Sequence, residues 1–281
     1  MAQAEEVKGR IQLVRDLSNE LAGYLHTLPE SIWRNADDYA SPCEGWKVAD
    51  VITHLILGAN SLSLSVENAL KGATSPPMGH TGQFHGPAAL ELLVQTREAI
   101  YEDLFYDFNA SCLRLNSMLV SLEPEAYGRD AWHPLFITSV ARLIDIRASE
   151  LAVHGWDVRY PMDRSATLSD KAVPFLKKVF MRRWLHSGFQ KGEALREPIR
   201  FRFKLTDTEN ESYDVLVSGD KFRLAPSDGS VANVTFVGDS DTYILFCMGR
   251  LSLNRSVRRG RIVLEGDAEL ATQFRGWFKG V

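Results

Sequence analysis

Apolar residues in the first half of the chain recur at spacings of three and four. Val7, Ile11, Val14, Leu17, Leu21, Leu25 and Leu28 form one stripe, the seam of a bundle helix over 7–28. Turn formers follow, ending in Ser41-Pro42-Cys43-Glu44-Gly45-Trp46. A second helix is predicted from Lys47 to Leu70, stopped by Gly72, Pro76 and Pro77. After a loop over 72–86, a third starts at Pro87, where proline suits the first turn, and runs to Leu122 with room for a break. Glu123-Pro124 interrupts it, and a fourth helix is expected over Ile137–Val158. The pattern changes after Tyr160-Pro161. A linker over 161–170 leads to one more helix, Ser169–Ser187. Ile199, Phe201, Phe203 and Leu205 then alternate with Arg200, Arg202 and Lys204, the period of two of a half-buried strand. Tyr213, Val215 and Val217 repeat it, and Ser218-Gly219-Asp220 marks a turn. Phe222–Leu224, Val231–Val237 and Arg261–Glu265 read as further strands. A last helix carries Leu270, Phe274, Trp277 and Phe278 on one face. The expected architecture is a helical domain over 1–160 followed by an α+β domain with an antiparallel sheet over 161–281.

Composition narrows the function classes. A 281-residue chain has length for a substantial core. Its net charge of -4 lacks the basic footprint of a nucleic-acid binder, and the arginines at 255, 258, 259 and 261 read as a solvated turn. No apolar stretch approaches the roughly 18 to 20 residues of a membrane span, and the N-terminus lacks the apolar core of a signal peptide. Cys43, Cys112 and Cys247 are scattered and odd in number, as expected of reduced thiols in a cytoplasmic protein.

The segment from Arg142 to Asp157 carries the chemistry. On a helix, Leu143, Ile146, Glu150, Leu151 and His154 share one face, and the apolar members turn that face inward. A buried carboxylate needs a partner. Glu150 and His154, four apart, have the separation to chelate one divalent ion. On the second helix Val51, His54, Leu55 and Gly58 face inward, so His54 offers a third ligand. Two nitrogens and one oxygen leave a tetrahedral ion an open position, the mark of a catalytic site. Zinc suits the set best, with iron, nickel or manganese as alternatives. The plainer alternative is a hydrogen-bonded core histidine at 54 and an ion pair of Glu150 with Arg97 or Arg142.

The segment from Pro42 to Leu55 resembles the start of the second helix in the mycothiol-dependent maleylpyruvate isomerase family, a branch of the DinB-like metal-binding four-helix bundles. Glu150-Leu-Ala-Val-His154-Gly-Trp-Asp157 is similar to that family's fourth-helix signature. The resemblance implies that His54, Glu150 and His154 are metal ligands and that the C-terminal region, with Met248-Gly249-Arg250 after a short helix, is a sterol-carrier-like domain. It also implies a small electrophilic substrate and a low-molecular-weight thiol, mycothiol or a relative of it. The thiol would serve cis–trans isomerisation or S-transfer.

One departure affects the substrate. No arginine lies between Arg34 and Arg97, so the loop after the second helix has no guanidinium for an acidic substrate. His80 and His85 stand there instead and are candidate catalytic residues, as is Arg250; Arg261 is a further candidate for a substrate carboxylate. Asp50 and Asp157 are candidates to orient a ligand imidazole, or to cap a helix or form a salt bridge. Trp46 and Trp156 are expected to pack near the site, and Cys43 to act as a small buried hydrophobe. Two rival functions stand beside the thiol enzyme: a hydrolase using a metal-activated water, with His80, His85 or Asp50 as base, and a non-enzymatic binder of apolar ligands.

Overall fold

A computed structural model describes residues 2–29, 32, 39–77 and 87–280. The chain divides into two compact units, 1–172 and 173–281.

Helix α1 (Ala2–Thr27) buries the stripe from Val7 to Leu25 against two other helices, α4 and α5. Helix α2 (Val48–Leu70) is buried on most of its circumference. By length and composition alone it is long and apolar enough to cross a membrane. This corrects the expectation that no stretch approaches that length. Small polar residues such as Ser61 and Ser65 break up its apolar run in sequence, yet they too are buried. In this protein 61% of its most apolar stretch is covered by the bundle. The predicted third helix is two, α3 (Pro87–Ile100) and α4 (Leu104–Val120), separated by a 3-10 turn at Tyr101–Asp103. Helices α1, α2, α4 and α5 form the bundle, and α3 packs on α2. Buried polar contacts tie them together: Asn116 of α4 donates to Ser18 of α1 over 2.9 Å, and Arg10 of α1 pairs with Asp145 of α5.

Helix α5 (Val140–Arg159) begins three residues later than expected. Residues 130–139 form a hairpin, β1 (Asp130–His133) with β2 (Phe136–Ser139). Its last residue, Ser139, then caps α5 by accepting from the Arg142 backbone N–H.

The second unit opens with a helical segment, Val173–Phe175, a π turn at Leu176–Phe180 and α6 (Met181–Gly188). Five strands follow: β3 (Ile199–Leu205), β4 (Ser212–Val217), β5 (Phe222–Pro226), β6 (Val234–Gly238) and β7 (Val263–Gly266). Their order is β5-β4-β3-β6-β7. The pairs are antiparallel except β3–β6, which is parallel, with Phe203 opposite Phe236. Between β6 and β7 lie α7 (Ser240–Cys247) and α8 (Leu253–Arg258), and α9 (Ala268–Trp277) closes the chain. One sheet face buries Phe201, Phe203, Val215 and Phe236 against Phe246 of α7 and Phe274 of α9. On the other face Arg202 grips Asp214 with two bonds of 2.8 and 2.9 Å, and Arg200 adds a third of 2.6 Å. The predicted turn at Gly219 has φ +86, and a Cβ there would lie 1.8 Å from the Glu193 carbonyl oxygen, so only glycine fits.

Candidate metal centre

The site is built from the second turn of α2 and the C-terminal half of α5. His54 stands one turn after Asp50, and Glu150 and His154 stand one turn apart on α5. The ligand atoms these three residues offer all lie within 4.8 Å of one another. His54 Nε2 is 2.7 Å from Glu150 Oε2, and His154 Nε2 is 3.2 Å from the same oxygen. Asp157, fully buried, accepts the Nδ1–H of His154 at 2.9 Å. Trp46, from the turn before α2, lies parallel to the His154 ring at 6.2 Å and edge-on to His54 at 5.2 Å.

The electrostatics follow from that crowding. Burial opposes the charge of Glu150, but the two histidines hold its carboxyl well below the usual carboxylate range. Burial also opposes charge on His154, yet its hydrogen bonds to Asp157 and Glu150 push it up to about 9. Since Asp157 claims the proton on Nδ1, a neutral His154 turns the lone pair of Nε2 toward the carboxylate. Two electron-rich atoms at 3.2 Å require a positive charge between them. In this geometry that charge is either an extra proton or a cation. Two imidazole nitrogens and a carboxylate, the second imidazole fixed by a further carboxylate, form a donor set suited to a divalent transition metal.

His54 and Glu150 also line a cavity of about 120 Å³. Leu57 and Leu62 of α2, Trp132 of the hairpin and Arg147 of α5 complete much of its wall. Trp132 belongs to a stretch to which the sequence pattern assigned no element. Arg147 had a legible signal, since Leu143, Arg147, Glu150 and His154 are spaced four, three and four.

The other candidates separate. Asp50 does not orient His54: one oxygen accepts the Lys47 backbone N–H at the start of α2 and the other accepts from Arg97, each at 2.8 Å. Arg97 is therefore engaged by Asp50. Arg142 stacks on the Phe136 ring. Trp156 is buried and donates to the Ala166 carbonyl, away from the cavity walls. Cys43 is half-buried. His80 and His85 lie outside the described residues. Arg250 lies in the second unit and donates to the Met248 carbonyl. Arg261 bonds Asp241 and Thr242 of α7.

Residues 14–159, more than half of the chain, match the family model described as the mycothiol maleylpyruvate isomerase N-terminal domain. Residues 190–279 match the SCP-2 sterol transfer family. Among curated protein sequences none matches the chain significantly. Among solved structures, the crystal structure of the mycothiol-dependent maleylpyruvate isomerase shares the fold at a TM-score of 0.65 and 15% identity, covering 93% of this chain and 94% of the other. A histidine-to-alanine mutant of that enzyme gives the same figures. The chain therefore belongs to the mycothiol maleylpyruvate isomerase family, carrying that family's N-terminal domain ahead of an SCP-2-like domain.

Proposed function

We propose that this protein is a metal-dependent isomerase that uses a low-molecular-weight thiol, mycothiol or a close relative, to convert a cis-configured electrophile such as maleylpyruvate to its trans isomer. The observation that carries this reading is the convergence of His54, Glu150 and His154 beside a cavity that His54 and Glu150 line, within a chain of this family. His54, Glu150 and His154 would hold the divalent ion, for which zinc is best suited. A bound ion would supply Lewis acidity that makes thiolate available at neutral pH; reversible addition of that sulfur to a conjugated double bond, rotation about the resulting single bond and expulsion of the thiolate would give net isomerisation with no oxidant consumed.

The chain's own residues prepare the site. Asp157 keeps the His154 proton on Nδ1 and so leaves Nε2 free to ligate. Trp46 covers the two imidazoles. Leu57, Leu62 and Trp132 give the cavity apolar walls that restrict water around a small electrophile.

One observation weighs against a hydrolase. Both oxygens of Asp50 are engaged, which removes it as the base of a hydrolase. The test is turnover of maleylpyruvate by metal-loaded protein with and without thiol. Isomerisation that needs the thiol and disappears with a chelator is expected; turnover independent of thiol would contradict the proposal.

A further inference from the structure

Among the described residues that line the cavity, Arg147 carries a fixed charge that the metal reading leaves unexplained. It projects from α5 one turn before Glu150, is 2% exposed and forms part of the cavity wall. Its Nη1 donates to the Leu55 carbonyl at 2.9 Å and its Nη2 contacts Cys112 Sγ at 3.6 Å. Its Nε is buried with no hydrogen-bond partner. Among the described residues no carboxylate forms an ion pair with it. Cys112 supplies no charge, because burial pushes its thiol up. Glu150 lines the same cavity but is engaged by the two histidines. Gly58 of α2 leaves room beside the guanidinium, since a Cβ there would come within 3.4 Å of Nη1.

A buried guanidinium without a counter-ion is costly and calls for an anion. A structural lock between α2 and α5 would need only the bond to the Leu55 carbonyl, which a neutral amide can make as well. We infer that Arg147 is the anion-binding residue of the site: the electrophile enters the cavity with a carboxylate paired to Arg147, which places its reactive carbons toward His54 and Glu150. This rests on the functional reading above and deepens it. It supplies from α5 the guanidinium that the loop after α2 lacks. The planar fork of arginine favours a carboxylate over a neutral group.

The test is calorimetric titration at neutral pH with maleate and with its neutral diamide, on metal-loaded and on chelator-stripped protein. Wild type is expected to prefer maleate by at least about tenfold. Arg147→Gln should lose that preference, and Arg147→Lys should keep part of it, both with wild-type metal content. The Arg147-dependent part should survive in stripped protein, which separates it from attraction to the ion and from failure of the metal reading. Equal maleate affinity in wild type and Arg147→Gln would overturn the inference. Should that variant not fold, the Arg147 Nε–H resonance of wild type decides: it is expected to shift with maleate and not with the diamide, and no shift with maleate overturns the inference.

Discussion

The two units use their interiors in opposite ways. The bundle keeps a cavity of about 120 Å³ and lines it with a carboxylate, two imidazoles (His54 and His133) and a guanidinium, while the His154 imidazole and the Asp157 carboxylate are buried just behind. The second unit fills its centre with rings. Phe203 and Phe236 stack at 5.0 Å, and Phe246 and Phe274 at 5.4 Å. Its charges are paired on the outer sheet face, where Asp214 is gripped by two arginines. Uncompensated polar groups are costly to bury and persist where a ligand completes them. Close-packed aromatics maximise dispersion and exclude water. Under the proposed function, the bundle carries the chemistry and the aromatic packing of the SCP-2-like unit contributes stability.

The comparison can be broken first at the aromatic core. Phe274→Ala should destabilise the second unit by about 3 to 5 kcal/mol and leave metal content unchanged, as read by denaturant unfolding and elemental analysis. Loss of metal in that variant would mean that the division of labour is wrong. A smaller effect is expected behind the ligands. Asp157→Asn should weaken metal affinity by roughly 10- to 100-fold with no change in the unfolding of the second unit; competition with a coloured chelator measures it. The pH dependence has a definite sign. Because His154 is held protonated up to about 9 in the metal-free site, an ion must displace that proton. Affinity should therefore rise about tenfold per pH unit from neutrality toward 9 and level off above it, with about one proton released per ion near pH 7. Calorimetry in two buffers of different ionisation enthalpy reads the proton directly. The smallest effect concerns the start of α5. Ser139→Ala removes the cap and should cost about 1 kcal/mol in the first unit alone.

Much of the fold was legible because its signals are local. The stripe of α1 and the alternation of β3 fall on buried faces as their spacing requires. What escaped depends on contacts distant in sequence. The parallel pairing of β3 with β6 joins residues some thirty apart through two intervening strands. The break at Tyr101–Asp103 was allowed for but not located, because the apolar periodicity is intact on both sides of it. The hairpin at 130–139 is too short to show a clear alternation, and it borrows residues that also suit a helix start. In the site, the four-residue spacing of Glu150 and His154 was visible, and so was the inward face of His54. The choice between Asp50 and Asp157 was not, because both stand one turn from a histidine and only packing tells which carboxylate reaches a ring. Arg147 shares the spacing of the site face, but a charged residue among apolar neighbours reads as solvated until its burial is known.

The central claim is that two nitrogens and one carboxylate in the bundle hold a single cation. Elemental analysis of purified wild-type protein and of the Glu150→Ala variant, each after exhaustive dialysis, tests it most directly. One divalent ion per wild-type chain and almost none in the variant is the predicted result. An ion-free wild type that takes up no zinc, or a variant that retains as much metal as wild type, would contradict it.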